Sequence, residues 1–514
     1  MKKINWFFVY IILFSAFLYF FQLGFSTAWD QDEGQMFAAS LEMVKSGEYL
    51  TPHLNSALYF HKPPFYAWLT ALMFMLFGFT EFCGRFWAAI FGICGVSLTY
   101  FFAKRLYNER AAILSSIILA TSPLYFILAK MGLVDILLAF FVLLSLCFFH
   151  LGYHNPIQKK WFYLLYVAMA FGTITKGPLG ILIPCITIFL FLLWEKKLSF
   201  FIKMVPLKGF LLYFIIASPW FIIETIRHGT YFLKIMFGQF LFSIYFTPFQ
   251  QHPGPIYYYI IVTLVGFIPW SGFLFPALFK KTDKLMLLLF LVMLAIFSLA
   301  STKVPGYFLP AFPALAIITG SYLDRLFSGE SKLSFYFGLI FPILLLSVVS
   351  FVIFQVQIPL QFSQALIYLQ TLILIVLGGF FLSFLFSFLK PQPIWSIGGW
   401  VVTMFVFYIG FIVFLVPYAE GFKPSRELAV AMKDKAHVAF YKTWLPPSLV
   451  FYLNRQSYPT VSVDIGDANN LEKFLNQHSS VCYLPKEEEQ KLLFPHRLLK
   501  TKAGYVIIER IGRE

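Results

Sequence analysis

Long apolar segments separated by short polar ones recur along most of this 514-residue chain. A helix of about 20 apolar residues can cross the hydrocarbon core of a bilayer. Hydrophobic residues make up 60% of the chain and charged residues 12%, whereas soluble domains are roughly 45–50% apolar and about 25% charged. We therefore predict an all-α polytopic membrane protein with about 13 transmembrane helices. The predicted spans are residues 5–24, 82–103, 111–129, 132–151, 161–175, 178–194, 208–226, 256–278, 284–300, 305–323, 335–355, 364–388 and 394–416.

The basic residues predict the orientation of these spans. They stand in short clusters between apolar segments, which is typical of cytoplasmic loops. They do not follow one face, so the net charge of +15 does not indicate nucleic-acid binding. If the first apolar run is an uncleaved span with its N-terminus inside, an odd number of spans brings the C-terminus to the outer face. The clusters are Lys104-Arg105, Lys159-Lys160, Lys196-Lys197 and Lys280-Lys281.

Two long outer loops interrupt the pattern, at about residues 26–81 and 227–255. The first contains a polar segment, Asp30 to Ser46, that we predict to be helical. It also contains an apolar stretch, Phe65 to Gly78, which is too short to span a bilayer comfortably and is predicted to lie in the membrane interface. The second loop is aromatic and ends in residues that break regular structure, Gln251 to Pro255.

Composition divides the chain into residues 1–417, the predicted transmembrane domain, and residues 418–514, which resemble ordinary soluble sequence. A helix around Asn470–Gln477 is predicted there. We expect a small α/β domain on the outer side of the membrane. Its strand-like runs are Val438–Tyr441, Leu449–Leu453, Val481–Leu484 and Tyr505–Glu509.

Three carboxylates follow the first span closely: Asp30, Asp32 and Glu33. A carboxylate at this position could deprotonate an acceptor hydroxyl, so Asp32 and Glu33 are candidate catalytic residues. The structural alternative is capping of the following helix, for which Asp30 is well suited.

An imidazole and an ammonium group precede the apolar stretch of the first loop. Lys62 stands directly before Pro63-Pro64 and suits the phosphate of a lipid, although a lysine at an interface can also be a surface anchor. His61 could bind a metal or donate a hydrogen bond, and a lone histidine favours the hydrogen bond.

Further charged residues are predicted at outer helix ends. Arg85 and Asp135 open spans, Lys176 lies in a Thr-Lys-Gly-Pro segment, and Lys303 lies in a segment that continues to Tyr307. Each could be half of a structural ion pair. Lys303, an outer cation near proline and an aromatic residue, is also predicted to bind the donor phosphate. Together the four charged residues predict a ring of charge around one outer cavity that binds substrate.

These residue types suit the transfer of a group from a phosphate carrier to a hydroxyl. The acceptor must lose a proton while the phosphate leaving group gains charge, so the site needs a base and an electrostatic clamp, and Lys and Arg can form the clamp. Ser-His-Asp, P-loop and HExxH signatures are absent from the sequence.

Several blocks resemble the superfamily of aminoarabinose transferases and protein O-mannosyltransferases, which are GT-C fold enzymes. In the first loop they are Asp32-Glu33-Gly34, Ser46 to Pro52, Tyr59 to Pro64, and Phe77 to Phe86. Further blocks follow in the same order: Leu133-Val134-Asp135, Thr175 to Pro178, Pro255 to Tyr259 with Pro269-Trp270, and Lys303 to Pro310. The resemblance covers about residues 26–320.

The resemblance implies inverting transfer of a sugar from a polyprenyl-phosphate carrier to a hydroxyl or phosphate acceptor, such as a lipid A-like glycolipid, an envelope glycan or a protein. Asp32 matches the catalytic carboxylate of the family, and Lys62 would hold the carrier phosphate. Aminoarabinose transferases usually have Glu at the position of His61 and a His near the position of Gln239. This departure leaves open both the binding of a divalent metal near His61 and aminoarabinose as the sugar, and no other cofactor is expected.

A transporter or flippase for lipid-linked sugars is the main competing interpretation, and a structural assembly factor is a second one. A transporter would carry its functional charges near the bilayer midplane on broken helices, whereas this sequence concentrates them toward one face. Internal repeats, which many transporter folds contain, are not evident here. We therefore expect a multi-pass enzyme of the plasma membrane with an extracytoplasmic site.

Overall fold

Helices form most of the protein, because backbone groups inside a bilayer must satisfy their hydrogen bonds within the segment itself. A computed structural model describes residues 5–243, 252–280, 282–355, 363–389, 392–432, 435, 437–455, 461–477 and 480–511. The α-helices are α1 Trp6–Phe20, α2 Asp32–Ser46, α3 Phe65–Phe77, α4 Glu81–Leu106, α5 Glu109–Ala120, α6 Pro123–Ala129, α7 Asp135–His154, α8 Lys160–Lys176, α9 Leu179–Trp194, α10 Pro206–Leu233, α11 Tyr258–Gly266, α12 Ser271–Phe279, α13 Lys284–Leu299, α14 Phe312–Phe327, α15 Lys332–Gln355, α16 Ser363–Leu389, α17 Pro393–Gly410, α18 Val416–Glu420, α19 Ser425–Ala431, α20 Pro447–Arg455, α21 Ala468–Leu475 and α22 Lys486–Glu489.

Shorter helical segments and seven strands complete the secondary structure. The segments Leu198–Met204 and Pro305–Ala311 are 3₁₀-helical, and Lys234–Ser243 and Phe411–Leu415 are π-helical. The strands are β1 His53–Leu54, β2 Ala57–Leu58, β3 His437–Tyr441, β4 Val461–Ile465, β5 Ser480–Pro485, β6 His496–Lys502 and β7 Tyr505–Arg510.

The predicted polytopic helical fold is confirmed, and every predicted span coincides with a helix or a pair of helices. Within the described residues, seven helices are long and apolar enough to cross a membrane, or nine if each of two bent pairs counts as one span. The other four predicted spans fall on α1, α8, α9 and α13, which have 15 to 17 residues. A count of 13 crossings stays a prediction.

Two predicted spans are bent in the structure, and one predicted loop begins in a helix. The predicted span 256–278 is a pair of helices, α11 and α12, bent by 118°. Pro269 lies between them, where its ring and its missing N–H prevent a continuous helix. The predicted loop 227–255 is helical at its start, since α10 extends to Leu233 and a π-helical segment follows. The predicted span 111–129 is likewise bent, by 65° between α5 and α6.

The chain divides into two compact units. The helical unit comprises Met1–Phe21, Phe60–Phe65 and Ala88–Ile412. The mixed unit comprises Gln22–Tyr59, Tyr66–Trp87 and Val413–Glu514. The predicted division at residue 417 concerns the membrane boundary and stays a prediction.

In the helical unit, tyrosines satisfy the carbonyl groups that the bend between α5 and α6 releases. Pro123 ends the continuous helix there. The hydroxyl of Tyr19 donates to Ala120 O at 3.2 Å, and that of Tyr408 donates to Thr121 O at 2.7 Å. An unsatisfied backbone carbonyl in hydrocarbon costs several kcal/mol, so these hydroxyls make the bend tolerable.

Helices α8 and α9 approach closely because glycines face each other. A Cβ atom on Gly180 would lie 2.0 Å from the carbonyl carbon of Gly172. Backbone atoms cannot move aside as a flexible side chain can. Small residues at such crossings allow the close packing that holds membrane helices together.

Burial differs strongly among the membrane helices. The segment Pro305–Phe327 is 94% buried over its most apolar window. Three later helices are mostly exposed, with 22%, 33% and 28% of the corresponding windows buried in Lys332–Ile353, Gln364–Leu389 and Pro393–Glu420. Exposed apolar side chains on long helices suit contact with lipid.

In the mixed unit, the C-terminal segment forms a five-stranded sheet in the order β4-β3-β5-β7-β6. Strand β3 is parallel to β4 and β5, and β7 is antiparallel to β5 and β6. Its core includes Ala439, Leu471, Cys482 and Ile508. The predicted α/β domain is confirmed, including the helix near Asn470.

One strand prediction in this domain was wrong and two strands were missed. Leu449–Leu453 lies in helix α20, which begins at Pro447. A short apolar run does not distinguish strand from helix, and proline favours the first turn of a helix. Strands β4 and β6 were missed, and β6 has an exposed, polar sequence, HRLLKTK.

Candidate active site

Asp32 stands at the start of α2, directly after a strained turn. Gln31 has φ 68° and ψ −74°, and Asp32 N–H donates to Asp30 O at 3.1 Å. This is a γ-turn with a positive central φ, a rare and strained conformation. The Asp32 residue is exposed to solvent. Strain at such a position is typical of functional sites.

The prediction that Asp30 caps this helix was wrong. The cap position is Gln31, and no side chain caps the helix there. The Asp30 carboxylate instead accepts hydrogen bonds from the N–H of Ser448, at 3.2 Å, and from its hydroxyl. Loss of contact with water raises the pKa of Asp30, and the Ser448 hydrogen bonds and Lys423 partly oppose that rise.

Glu33 and Arg85 form a buried ion pair in the mixed unit. Their side chains are 0% and 3% exposed. Arg85 Nε and Nη2 donate to the two carboxylate oxygens of Glu33, both at 2.7 Å. The guanidinium also donates to Leu23 O, Ser26 O and Thr27 O. Glu33 accepts the N–H of Trp29 at 3.0 Å, so this pair fixes the loop that leads to Asp32.

His61 and Lys62 lie in the helical unit, just before the prolines that precede α3. Both are partly buried. Burial lowers the pKa of His61 to about 4, and the charge of Lys62 contributes to the decrease. The imidazole is therefore neutral near pH 7.

Asp135, Lys176 and Tyr307 form a cluster in the helical unit. The Lys176 ammonium pairs with Asp135 Oδ1. It also lies over the Tyr307 ring, 4.2 Å from the centroid, which is a cation–π contact. Gly306 allows close packing here, because a Cβ on it would lie 3.3 Å from Asp135 Cγ. The cluster offers a carboxylate, an ammonium and an aromatic face, a combination that can bind a polar ligand.

Lys303 caps the end of helix α13. Its ammonium donates to Phe297 O at 3.0 Å and to Ser298 O at 2.7 Å, two carbonyls that the helix leaves unpaired at its C-terminus. The residue is 5% exposed, and burial lowers the pKa of the ammonium. This geometry is that of a helix cap.

The structure thus brings five of the nine predicted residues into two clusters, Glu33 with Arg85 and Asp135 with Lys176 and Tyr307. A ring of charge around a single cavity stays a prediction.

A divalent metal near His61 stays an open alternative. In the described part of the chain, no group of three His, Cys, Asp or Glu side chains is close enough to hold a metal ion. The ammonium of Lys62, adjacent to His61, would repel a cation. The side chain of Gln239 is outside the described residues.

Sequence reasoning missed two buried polar arrangements. On α10, the fully buried Glu224 lies 3.4 Å from His228, whose ring packs 5.2 Å from that of Phe60. An ionisable residue inside an apolar span is a signal that could have identified it. The second links Tyr452 to Glu81 at 3.0 Å, and residues 371 positions apart share no local sequence signal.

Comparison with known proteins agrees with this architecture. A family model described as dolichyl-phosphate-mannose-protein mannosyltransferase matches residues 61–223. An uncharacterized protein of Aquifex aeolicus is 30% identical over 437 residues, covering 83% of this chain and 81% of that protein. The undecaprenyl phosphate-alpha-4-amino-4-deoxy-L-arabinose arabinosyl transferase of Wigglesworthia glossinidia brevipalpis is 28% identical over 334 residues, which are 61% of this chain and 58% of that enzyme.

A solved structure has the same fold. The crystal structure of ArnT from Cupriavidus metallidurans bound to undecaprenyl phosphate superposes with a TM-score of 0.84 at 22% identity, covering 97% of each chain. The chain therefore belongs to the GT-C superfamily of aminoarabinose transferases and protein O-mannosyltransferases and is a membrane glycosyltransferase.

Proposed function

We propose that the protein transfers the sugar of a polyprenyl-phosphate carrier, with inversion, to a hydroxyl or phosphate group of an envelope acceptor on the outer face of the plasma membrane. The acceptor is a lipid A-like glycolipid, an envelope glycan or a protein. Relatives named as undecaprenyl phosphate-alpha-4-amino-4-deoxy-L-arabinose arabinosyl transferases support the polyprenyl-phosphate carrier.

The observation that carries the proposal is the contrast between the adjacent carboxylates Asp32 and Glu33. Glu33 is fully buried, and its oxygens accept hydrogen bonds from Arg85 and Trp29. Asp32 is exposed at the start of α2. A general base must reach the proton that it removes, within about 2.6–3.2 Å of the acceptor oxygen. Asp32 satisfies the requirement of access, whereas Glu33 holds the loop.

The proposed step is a single displacement. The acceptor oxygen attacks the anomeric carbon and its proton passes to the Asp32 carboxylate. The bond between the anomeric carbon and the phosphate oxygen breaks, and the polyprenyl phosphate leaves with the electron pair. Attack on the face opposite the leaving group inverts the configuration.

Lys62 is assigned to the phosphate of the carrier, and the cluster of Asp135, Lys176 and Tyr307 to the polar part of the donor. A cation stabilises the charge that develops on a leaving phosphate, and this stabilisation needs no metal. An aromatic face and a carboxylate suit the ring and the hydroxyls of a sugar. The resemblance of the Tyr59 to Pro64 block to the family supports the role of Lys62.

The transfer assay measures release of free polyprenyl phosphate from a labelled polyprenyl-phosphate sugar by the purified protein in lipid nanodiscs. Asp32→Asn keeps the shape of the side chain and removes the base, so turnover falls by at least about a hundredfold while donor binding persists. Asp467→Asn, the same change at an exposed aspartate before helix α21, is the matched control and keeps turnover.

Near-normal turnover of Asp32→Asn would remove Asp32 from the mechanism. Appearance of intact labelled carrier on the opposite leaflet, without release of polyprenyl phosphate, would favour the flippase alternative. An inactive alkaline phosphatase fused after Arg510, together with an active cytoplasmic reporter at that position, would contradict the outer location of the C-terminal domain.

A further inference from the structure

The loop before Asp32 is attached to the C-terminal part of the chain at successive residues. Within the mixed unit, Thr27 N–H donates to Glu420 at 2.9 Å and Ala28 N–H donates to the Tyr452 hydroxyl at 2.8 Å. Lys423 donates to Thr27 O at 3.0 Å and lies over the Trp29 ring, 3.8 Å from its centroid. The loop therefore depends on residues about 400 positions away for its backbone partners.

A further attachment is at Asp30. Its carboxylate accepts hydrogen bonds from both the N–H and the hydroxyl of Ser448, which is fully buried at the start of helix α20. The Ser448 hydroxyl lies 2.5 Å from that of Ser425, which is also buried. Because a hydroxyl carries one hydrogen, Ser425 donates to Ser448 and Ser448 donates to Asp30.

Backbone packing holds the other side of the turn. A Cβ on Gly34 would lie 2.7 Å from Ser448 N and 3.1 Å from Ser448 Cα. Helices α2 and α20 are thus in contact at the first turn of α2, and only glycine allows this approach.

The strained turn lies between these two attachments. Its central residue is Gln31, with Asp30 before it and Asp32 after it. A strained conformation persists only where its surroundings hold it. Contacts on both sides of Gln31 supply that constraint, and they come from helix α20.

We propose that Ser448 and Tyr452 are positioning residues for the transfer reaction, which hold the turn at Gln31 so that Asp32 is directed to its substrate. This inference rests on the proposed role of Asp32. It gives the C-terminal domain a part in turnover, through the orientation of the base.

Tyr452 acts at the start of the loop. Its hydroxyl accepts from Ala28 N–H and donates to Glu81 Oε1 at 3.0 Å. The side chain is buried, and burial raises its pKa well above the ordinary value. The hydroxyl therefore stays protonated and keeps both hydrogen bonds.

The test compares kinetics and hydrogen exchange in the full-length protein. Ser448→Ala and Tyr452→Phe each lower kcat by about 10- to 100-fold, because a misplacement near 1 Å can cost this much. KM for the donor stays within twofold, since neither residue is assigned to donor binding. Exchange of the amides from Trp29 to Gly34, measured by mass spectrometry, becomes at least about tenfold faster.

Matched controls separate this role from general destabilisation. Ser480 is a buried serine of the same domain whose hydroxyl has no hydrogen-bond partner among the described residues, and Tyr322 is a buried tyrosine of the helical unit with the same property. Ser480→Ala and Tyr322→Phe remove the same atoms and leave both kcat and exchange in the loop within twofold of wild type. Turnover is expressed per donor-binding site, so a loss of folded protein does not count as slower chemistry.

Gly34→Ala is a third, independent variant. The added Cβ meets backbone atoms of Ser448, so α2 and α20 must separate, and kcat falls at least as far as in Ser448→Ala. Gly466→Ala, at a glycine with open space around it, is its control.

The proposal is overturned if Ser448→Ala and Tyr452→Phe both keep kcat, or both keep the exchange of the loop amides, within twofold of wild type. Equal losses in the Ser480→Ala control would also overturn it. If the proposed function is wrong, the wild-type protein releases no polyprenyl phosphate. The exchange measurement then still decides whether Ser448 and Tyr452 hold the loop.

Discussion

Two carboxylate–cation pairs, one in each unit, differ in what else they contact. The guanidinium of Arg85 holds both oxygens of Glu33 and donates to three backbone carbonyls, with side chains 3% and 0% exposed. The ammonium of Lys176 pairs with one oxygen of Asp135 and lies on the Tyr307 ring, with 11% of each charged side chain exposed.

Because of this difference, we expect a structural role for the Glu33–Arg85 pair and a ligand-binding role for the Asp135–Lys176 pair. A guanidinium that donates five hydrogen bonds to the protein has none left for a ligand, because it has five N–H donors. An ammonium has three donors, and an aromatic face does not consume them. We therefore expect similar charge pairs at predicted site positions to serve different purposes, which the number of their protein contacts distinguishes.

The largest expected effect is a loss of stability when the buried Glu33–Arg85 pair is broken. Arg85→Ala leaves the Glu33 carboxylate buried without its partner, so the free energy of unfolding falls by about 3–5 kcal/mol. The measurement is denaturant unfolding of the purified protein in detergent micelles. Lys104→Ala is the control, because its pair with Glu109 is exposed, with 48% and 40% of the side chains accessible, and costs about 0–1 kcal/mol. Equal losses for the two variants would contradict the structural role of Arg85.

Lys303 extends the comparison to a cation that the sequence alone assigns to the donor phosphate. Lys303→Met keeps the apolar stem and removes the hydrogen bonds to Phe297 O and Ser298 O. We expect the unfolding free energy to fall by about 2 kcal/mol, the range for hydrogen bonds from a charged group. Donor affinity, measured by titration calorimetry, stays within twofold. A tenfold loss of affinity with unchanged stability would restore the assignment to phosphate binding.

The cluster of Asp135, Lys176 and Tyr307 is expected to affect catalysis more than stability. Lys176→Gln removes the charge but keeps a polar side chain, so kcat/KM falls about tenfold, or about 1.4 kcal/mol of transition-state stabilisation, while the unfolding free energy changes by less than in Lys303→Met. Steady-state release of polyprenyl phosphate measures the first quantity. Unchanged kcat/KM in Lys176→Gln would show that the Asp135–Lys176 pair is structural, like the buried Glu33–Arg85 pair.

The smallest effect concerns His61. Its pKa in the folded protein is about 4 and its ordinary value is about 6.5, so the unfolded chain binds more protons between these values. Stability therefore falls as pH decreases from 7 to 5, by about 1 kcal/mol after allowance for partial exposure. His61→Gln removes this dependence. Melting temperatures of both proteins at pH 7 and pH 5 test it, and identical pH dependence would contradict the shifted pKa.

Much of the fold could be predicted from the sequence because its signals are local. A membrane span is a continuous apolar run, so all the predicted spans fall on helices. The bend at Pro269 was missed, although a proline inside an apolar run was visible. In the C-terminal domain, a run such as Leu449–Leu453 has no periodicity that separates strand from helix, and contacts with α2 accompany its helical form.

The site was predictable in its residue types and less so in their partners. The sequence places Asp32 and Glu33 side by side, and nothing local shows that only Glu33 is buried with Arg85, 52 residues away. The helix-capping role predicted for Asp30 depended on the rule for aspartate at helix starts. The Asp30 carboxylate instead accepts a hydrogen bond from Ser448, 418 residues away. Long-range pairing of this kind has no signal in a single sequence.

The uneven burial of the membrane helices has a consequence for how this sequence can diverge. Segment Pro305–Phe327, 94% buried, is packed on nearly every side, so a change of one methylene there disturbs neighbours that cannot relax. In Lys332–Ile353, Gln364–Leu389 and Pro393–Glu420, only 22%, 33% and 28% of the most apolar window is buried, so one apolar side chain can replace another there with little consequence. In a saturation mutagenesis library selected for function, we expect the first segment to tolerate few substitutions and these three helices almost any hydrophobic one, so sequence differences between relatives should concentrate in the three helices.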